Sequence, residues 1–201
     1  MPRVYLHLTF QPDNFVQTSM KAAATAEAAR IWSDYGVAIE SDAQPAFCDA
    51  GTERLLIVLG GASDVGKGQD SLGAIHFAPD GTSDSIVILD YRAVSRLAMS
   101  VPVVGAPSSQ WTDRVRDQAI GRALGRALAH EIGHFLLRWP HHSASGLMRA
   151  QHKASWLIGA DRRPFQLTAT ERARLEVTTA SGRLLDAAGA CGALAAARAQ
   201  P

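Results

Sequence analysis

His130-Glu131-Ile132-Gly133-His134 sits near the end of a long stretch with helical periodicity, and its reading decides the fold. Residues four apart on an α-helix lie one above the other, so His130 and His134 can reach one metal ion, with Glu131 beside them addressing the water such an ion activates. Thr112 or Asp113 can cap this helix, and Pro140 disfavours helix at the residue before it, so the spacing predicts a helix to about Arg138. Taken every fourth residue, Ile120, Leu124, Leu128, Ile132 and Leu136 form one apolar row, the expected buried face. The histidines extend a different row, Arg114, Gln118, Arg122, Arg126, His130 and His134, offset by about 200°. This predicts a helix whose first turns face water and whose last turn faces a cleft. A third row, Gly121, Gly125, Ala129 and Gly133, is almost without side chains. Each interior glycine costs about 1 kcal/mol against alanine, so close approach of another backbone is the expected compensation.

Downstream, Arg138-Trp139-Pro140-His141-His142-Ser143-Ala144-Ser145-Gly146-Leu147-Met148 supplies a third imidazole and then a small-residue turn ending in methionine. Three protein ligands leaving one position open is the pattern of a catalytic zinc site. The segment resembles the metzincin zinc peptidases, which carry H-E-x-x-H, a third histidine and a methionine turn. The family pattern, H-E-x-x-H-x-x-G-x-x-H, would put glycine and histidine where Leu137 and Pro140 stand. The nearest histidines come seven and eight residues after His134. The resemblance favours His142 as third ligand, because the His142-Ser143 pair is similar to the end of the motif in some metzincins, and His141 is the reserve. No tyrosine follows Met148, so a tyrosine ligand is not expected.

The resemblance implies one catalytic zinc ion held by His130, His134 and His142, with Glu131 as general base and then general acid toward the leaving amine, and Met148 as a packing residue of the turn. The implied substrate is a peptide or protein. Two rivals stay open: a gluzincin-like scheme in which Glu171 or Glu176 replaces the third histidine, and a metal-binding module without turnover.

Outward from the motif, the amino-terminal half reads strand, helix, strand, strand, strand, strand. The strands are Met1 to Phe10, Val37 to Glu40, Glu53 to Leu59, Gly73 to Phe77 and Ser85 to Tyr91; the helix runs from a cap at Thr18 or Ser19 to Tyr35, ended by Gly36. This order implies an α+β fold, a mixed twisted sheet with packed helices, and the resemblance adds a two-lobed catalytic domain. The strand Gly73 to Phe77 is a candidate cleft-side edge able to align an extended peptide, and His76 on it reads as a rim residue. Past the Pro/Gly/Ser-rich link Val101 to Ser109 comes the long helix. Thr168-Ala169-Thr170-Glu171 is a capping box opening a last helix. The expected organisation is one domain over 1–186, its upper lobe 1–110 and its lower 111–186, with an Ala/Gly-rich tail over 187–201.

The 201 residues suffice to bury a core unaided, and 47% hydrophobic with 19% charged residues is globular. A formal net charge of +1 gives no footprint for nucleic acid, and no apolar run is long enough for a membrane span. Without a secretory layout at its start, the chain is expected to be cytoplasmic. Cys48 and Cys191 make neither a metal knuckle nor a redox pair in sequence, and their mutual pairing stays open. Gly61 to Lys67 imitates a phosphate loop, but Gly68 stands where Ser or Thr is needed, so it reads as an inter-strand loop. His7 and His152 read as structural, and Trp139 and Trp156 as packing around the post-helix loop.

Overall fold

The computed structural model describes residues 4–13, 15–41, 52–60 and 71–180. Cys48, Cys191, the Gly61 to Gly68 stretch and the tail over 187–201 lie outside them. Five strands, β1 (Val4–Phe10), β2 (Val37–Ser41), β3 (Thr52–Gly60), β4 (Gly73–Phe77) and β5 (Ser83–Asp90), form one sheet in the order β2-β1-β3-β5-β4. The β1–β2, β1–β3 and β3–β5 pairs are parallel, and β4 joins β5 antiparallel, as a tight Pro79-Asp80-Gly81 connection requires. The mixed sheet and its packed helices are the α+β architecture the element order implied.

Alternation puts Leu6, Leu8, Leu55, Ile57, Leu59, Val87 and Leu89 on one buried face. The helices packed there are α1 (Thr18–Ser33), against β2, and α3 (Asp113–Leu137), against β4 and β5. The helix α2 (Tyr91–Met99) leans on α3. Sequence reading ended the fifth strand at Tyr91, but Tyr91 instead begins α2. The Asp90 side chain accepts the Ala93 amide at 2.9 Å and turns strand directly into helix. Two more short helical elements, α4 (Ala154–Ile158) and a 3₁₀ turn at Arg163–Phe165, precede α5 (Ala169–Ala180). Gln17, not Thr18 or Ser19, occupies the cap position of α1, without a side-chain cap bond.

The rows of α3 explain its packing. Ile120, Leu124, Leu128, Ile132 and Leu136 are all at most 2% exposed. The glycine row meets α1, as its composition required: a Cβ on Gly121 would lie 2.7 Å from the Ala23 Cβ, and one on Gly125 would lie 2.6 Å from the Ala24 carbonyl. Backbone cannot yield there, so any side chain at Gly125 would force the two helices apart.

The row of Arg114 differs from the expected water-facing one. Its first members are exposed, but Arg126 is 1% exposed and Arg122 donates to the Ile158 carbonyl at 2.6 Å. The partner that makes burial tolerable lies on α1. Arg126 Nε donates to Glu27 Oε1 at 3.0 Å, and Arg162 Nη2 donates to Glu27 Oε2 at 2.8 Å. Burial pushes the Glu27 carboxyl up, yet hydrogen bonding to Arg162 and the charge of Arg126 hold it below the usual carboxylate range. The Arg126 guanidinium also lies 4.5 Å from the Phe165 ring and donates to the Trp156 carbonyl. One buried cluster thereby ties α1 and the 156–165 segment to α3, one turn ahead of His130.

Candidate metal centre

The end of α3 is set by backbone geometry. Arg138 takes a left-handed conformation, φ 48° and ψ 50°, and its amide caps the carbonyls of the last turn. The chain then doubles back with Pro140, so that the segment from His141 to Met148 returns over the last turn of the helix. Ser143 N donates to the Met148 carbonyl at 2.8 Å and closes this loop.

His130, His134 and His142 converge: each offers one ligand nitrogen, and the three atoms lie within 4.8 Å of one another. The His130 and His142 rings are stacked at 5.2 Å, and those of His134 and His142 stand edge-on at 5.0 Å. His141 goes elsewhere, its exposed ring 6.2 Å from that of Trp139.

The donor set can be tested for a cation through its protons. His134 Nδ1 lies 2.6 Å from the Trp139 carbonyl, and His130 Nδ1 lies 2.8 Å from the Leu147 carbonyl. A carbonyl oxygen only accepts, so both Nδ1 atoms carry the hydrogen, and in the neutral imidazoles that ligate a metal both Nε2 atoms present lone pairs. Those two Nε2 atoms face each other at 3.1 Å. Opposed lone pairs repel, whereas a cation between them makes the arrangement favourable. With Zn–N bonds of about 2.0–2.1 Å, two ligands of a tetrahedral ion stand about 3.3 Å apart. The residues fit the ion. Burial, then the neighbouring imidazole of His134, pushes His130 down to about 3, so it stays in the neutral form that ligates.

The surroundings fix these rings. Trp32 of α1, fully buried, donates to the Ala129 carbonyl at 3.1 Å, next to His130. Met148 is fully buried, and its sulfur fills the space that a Cβ on Gly133 would take, so the turn seats directly on the helix between the two histidines in sequence. Ser143, beside His142, donates through Oγ to Glu171 Oε1 at 2.5 Å. The other oxygen of Glu171 accepts the Thr168 amide at 2.7 Å, while Glu171 N donates to Thr168 Oγ1 at 3.3 Å. The capping box read from sequence is thus formed, and its glutamate also anchors the loop of the third histidine. Glu171 is fully buried with both oxygens engaged, and Glu176 is exposed; neither joins the three-histidine group. The gluzincin-like ligand scheme finds no support in this geometry.

Glu131 is 5% exposed. It reaches the sheet at Gly73, the first residue of β4, where a Cβ would stand 2.9 Å from Glu131 Oε1. Four residues on, the Phe77 ring meets that of His134 edge-on at 6.4 Å. The site therefore lies between the last turn of α3 and β4, which is an edge strand among the described strands. His76 is exposed and stands outside the three-histidine group.

Several participants left no mark in the sequence reading. The carbonyls of Trp139 and Leu147 orient the imidazoles, and backbone atoms have no residue signature. His152, read only as structural, shares one of them: its Nε2 lies 3.3 Å from the Leu147 carbonyl, and its ring is 4.6 Å from Phe165. Burial holds its imidazole below the usual histidine range. Gly73, at the start of a strand, belongs to no motif that would mark it in the sequence.

Neither a protein-family model nor a curated protein sequence matches this chain. Solved structures do match in fold. A zinc-dependent peptidase from Methanocorpusculum labreanum (strain Z) superposes with a TM-score of 0.53 at 14% identity, covering 85% of this chain and 99% of that one. Archaemetzincin from Methanopyrus kandleri superposes with a TM-score of 0.52 at 11% identity, covering 88% of this chain and 96% of that one. At such identities the likeness establishes the architecture: the five-stranded mixed sheet and its helices have the fold of these peptidases. Among the described residues no helix is long and apolar enough to cross a membrane.

Proposed function

We propose that this protein is a zinc-dependent peptidase of metzincin type, with His130, His134 and His142 holding one zinc ion, Glu131 as general base and Met148 as the packing residue of the turn. The observation that carries this reading is the pair of Nε2 atoms facing each other at 3.1 Å, each ring held by a carbonyl at its other nitrogen. The fold shared with two zinc peptidases supports it.

Zinc, when bound, would supply Lewis-acid polarisation of a carbonyl and would lower the pKa of a coordinated water towards about 7. The rest falls to this chain. The Trp139 and Leu147 carbonyls hold the Nδ1 protons of His134 and His130 and so keep the two Nε2 atoms aimed at the ion. Glu131, largely withdrawn from solvent, takes the proton of the attacking water on a carboxylate oxygen and returns it to the amine that leaves. The peptide lies extended along β4, whose outer edge is unpaired among the described strands and offers main-chain hydrogen bonds. Phe77 forms an apolar wall beside His134.

Metal removal tests the reading. Stripping zinc with a chelator is expected to abolish cleavage of an unstructured protein substrate such as casein, and one equivalent of zinc to restore it. Cleavage that persists after the metal is shown to be gone would refute a zinc peptidase.

A further inference from the structure

We propose that Gly73 is a positioning residue for Glu131: the missing side chain on the first residue of β4 is what allows the carboxylate to stand beside the edge strand. The inference rests on the peptidase reading above and adds to it a requirement at a residue outside the motif.

A Cβ on Gly73 would lie 2.9 Å from Glu131 Oε1, 3.0 Å from Glu131 Cγ and 2.9 Å from Leu89 Cδ2. Contacts this short do not persist, so something must give. Backbone conformation does not explain the glycine: among the described glycines positive φ occurs at Gly36, Gly81, Gly105 and Gly146, and not at Gly73. Glycine also weakens a strand interior, and where it occurs it often marks a close approach. The groups Gly73 makes room for are the catalytic carboxylate and one leucine.

The strand cannot simply retreat. Ser71 Oγ donates to the Gly73 carbonyl at 2.8 Å, and Asp90 N donates to the Leu72 carbonyl at 3.0 Å, pinning both sides of the position. Leu89 is fully buried in the packed face of the sheet. What yields to an added methyl is the end of the Glu131 side chain together with the Leu89 methyl, the two groups that a Cβ would meet at 2.9 Å. Such a displacement costs the fold little and costs the reaction much, because the base must be held within a fraction of an ångström of the proton it takes. Gly73 thereby fixes the distance between the base and the same strand that would align the substrate.

Gly73→Ala separates this role from a structural one. The zinc-loaded variant is expected to lose about 10- to 100-fold in kcat on casein-derived peptide, with KM within about twofold. Its zinc affinity should match that of the parent, and its melting temperature should fall by only a few degrees, the cost of moving the Leu89 methyl that a Cβ would meet at 2.9 Å. In a Glu131→Asp background, whose carboxylate is one methylene shorter and already withdrawn, adding Gly73→Ala is expected to cost less than about threefold further, the non-additivity of two groups in contact. An unchanged kcat, an equal loss in both backgrounds, or a parallel fall in zinc affinity would each overturn the assignment. If Glu131→Gln is inactive while Gly73→Ala cleaves normally, the positioning role fails and the peptidase reading stands; if Glu131→Gln cleaves normally, the base itself is wrong.

Discussion

Glu131→Gln is expected to lower kcat by about a thousandfold or more while zinc binds with nearly the parent affinity. General acid–base catalysis contributes about 10² to 10⁴ to rate, and here one carboxylate both takes the proton and returns it. The amide has the same shape, so it fits the space at Gly73 where Oε1 would stand 2.9 Å from an added Cβ. Packing at this buried position is therefore preserved, and what disappears is a basic oxygen. The measurement is steady-state cleavage alongside zinc competition against a chromogenic chelator. Loss of turnover with zinc retained identifies Glu131 as the base. Retained turnover contradicts it, and a joint loss of zinc and turnover would mean that the glutamate holds the site together instead. The same variant separates a peptidase from a silent metal-binding module, whose function would survive it.

The second large effect is expected at the third ligand. His142→Ala should weaken zinc binding by more than about 100-fold, beyond the 10- to 100-fold that losing an outer hydrogen-bond partner of a ligand costs, and should abolish cleavage. His141→Ala should leave both within about twofold. The two neighbours are chemically identical, and only their placement differs: the His142 ring stands 5.2 Å from His130 and 5.0 Å from His134, whereas the His141 ring lies 6.2 Å from Trp139. Isothermal titration of the two variants with zinc gives the comparison. Equal effects at 141 and 142, or none at either, would remove His142 from the ligand set.

What the sequence made legible was largely what a single element encodes in its own period. The apolar row of α3 marks a buried face, and the glycines at 121 and 125 announce a close neighbour because each is costly in a helix with nothing to offset it. The alternating strands and the capping box at Thr168 and Glu171 are equally local. Pairings between distant segments were not legible. Arg126 looked like a solvated residue because Glu27, which makes its burial tolerable, lies 99 positions away. Helix α2 was missed because Asp90 ends a strand and caps a helix at once, and the strand period runs unbroken up to it. The same limit applied at the site. Its histidines are close in sequence, but the oxygens that set their tautomers are main-chain atoms of Trp139 and Leu147. The contact between Glu131 and Gly73 joins a helix to a strand 58 positions earlier.

X-ray absorption at the zinc edge on the protein loaded with one equivalent of zinc measures the coordination sphere itself. The expected spectrum has three imidazole nitrogens at about 2.0–2.1 Å and one further light atom, with no sulfur. A shell with fewer than three imidazoles, or a chain that fails to retain zinc at all, would contradict a centre built from His130, His134 and His142.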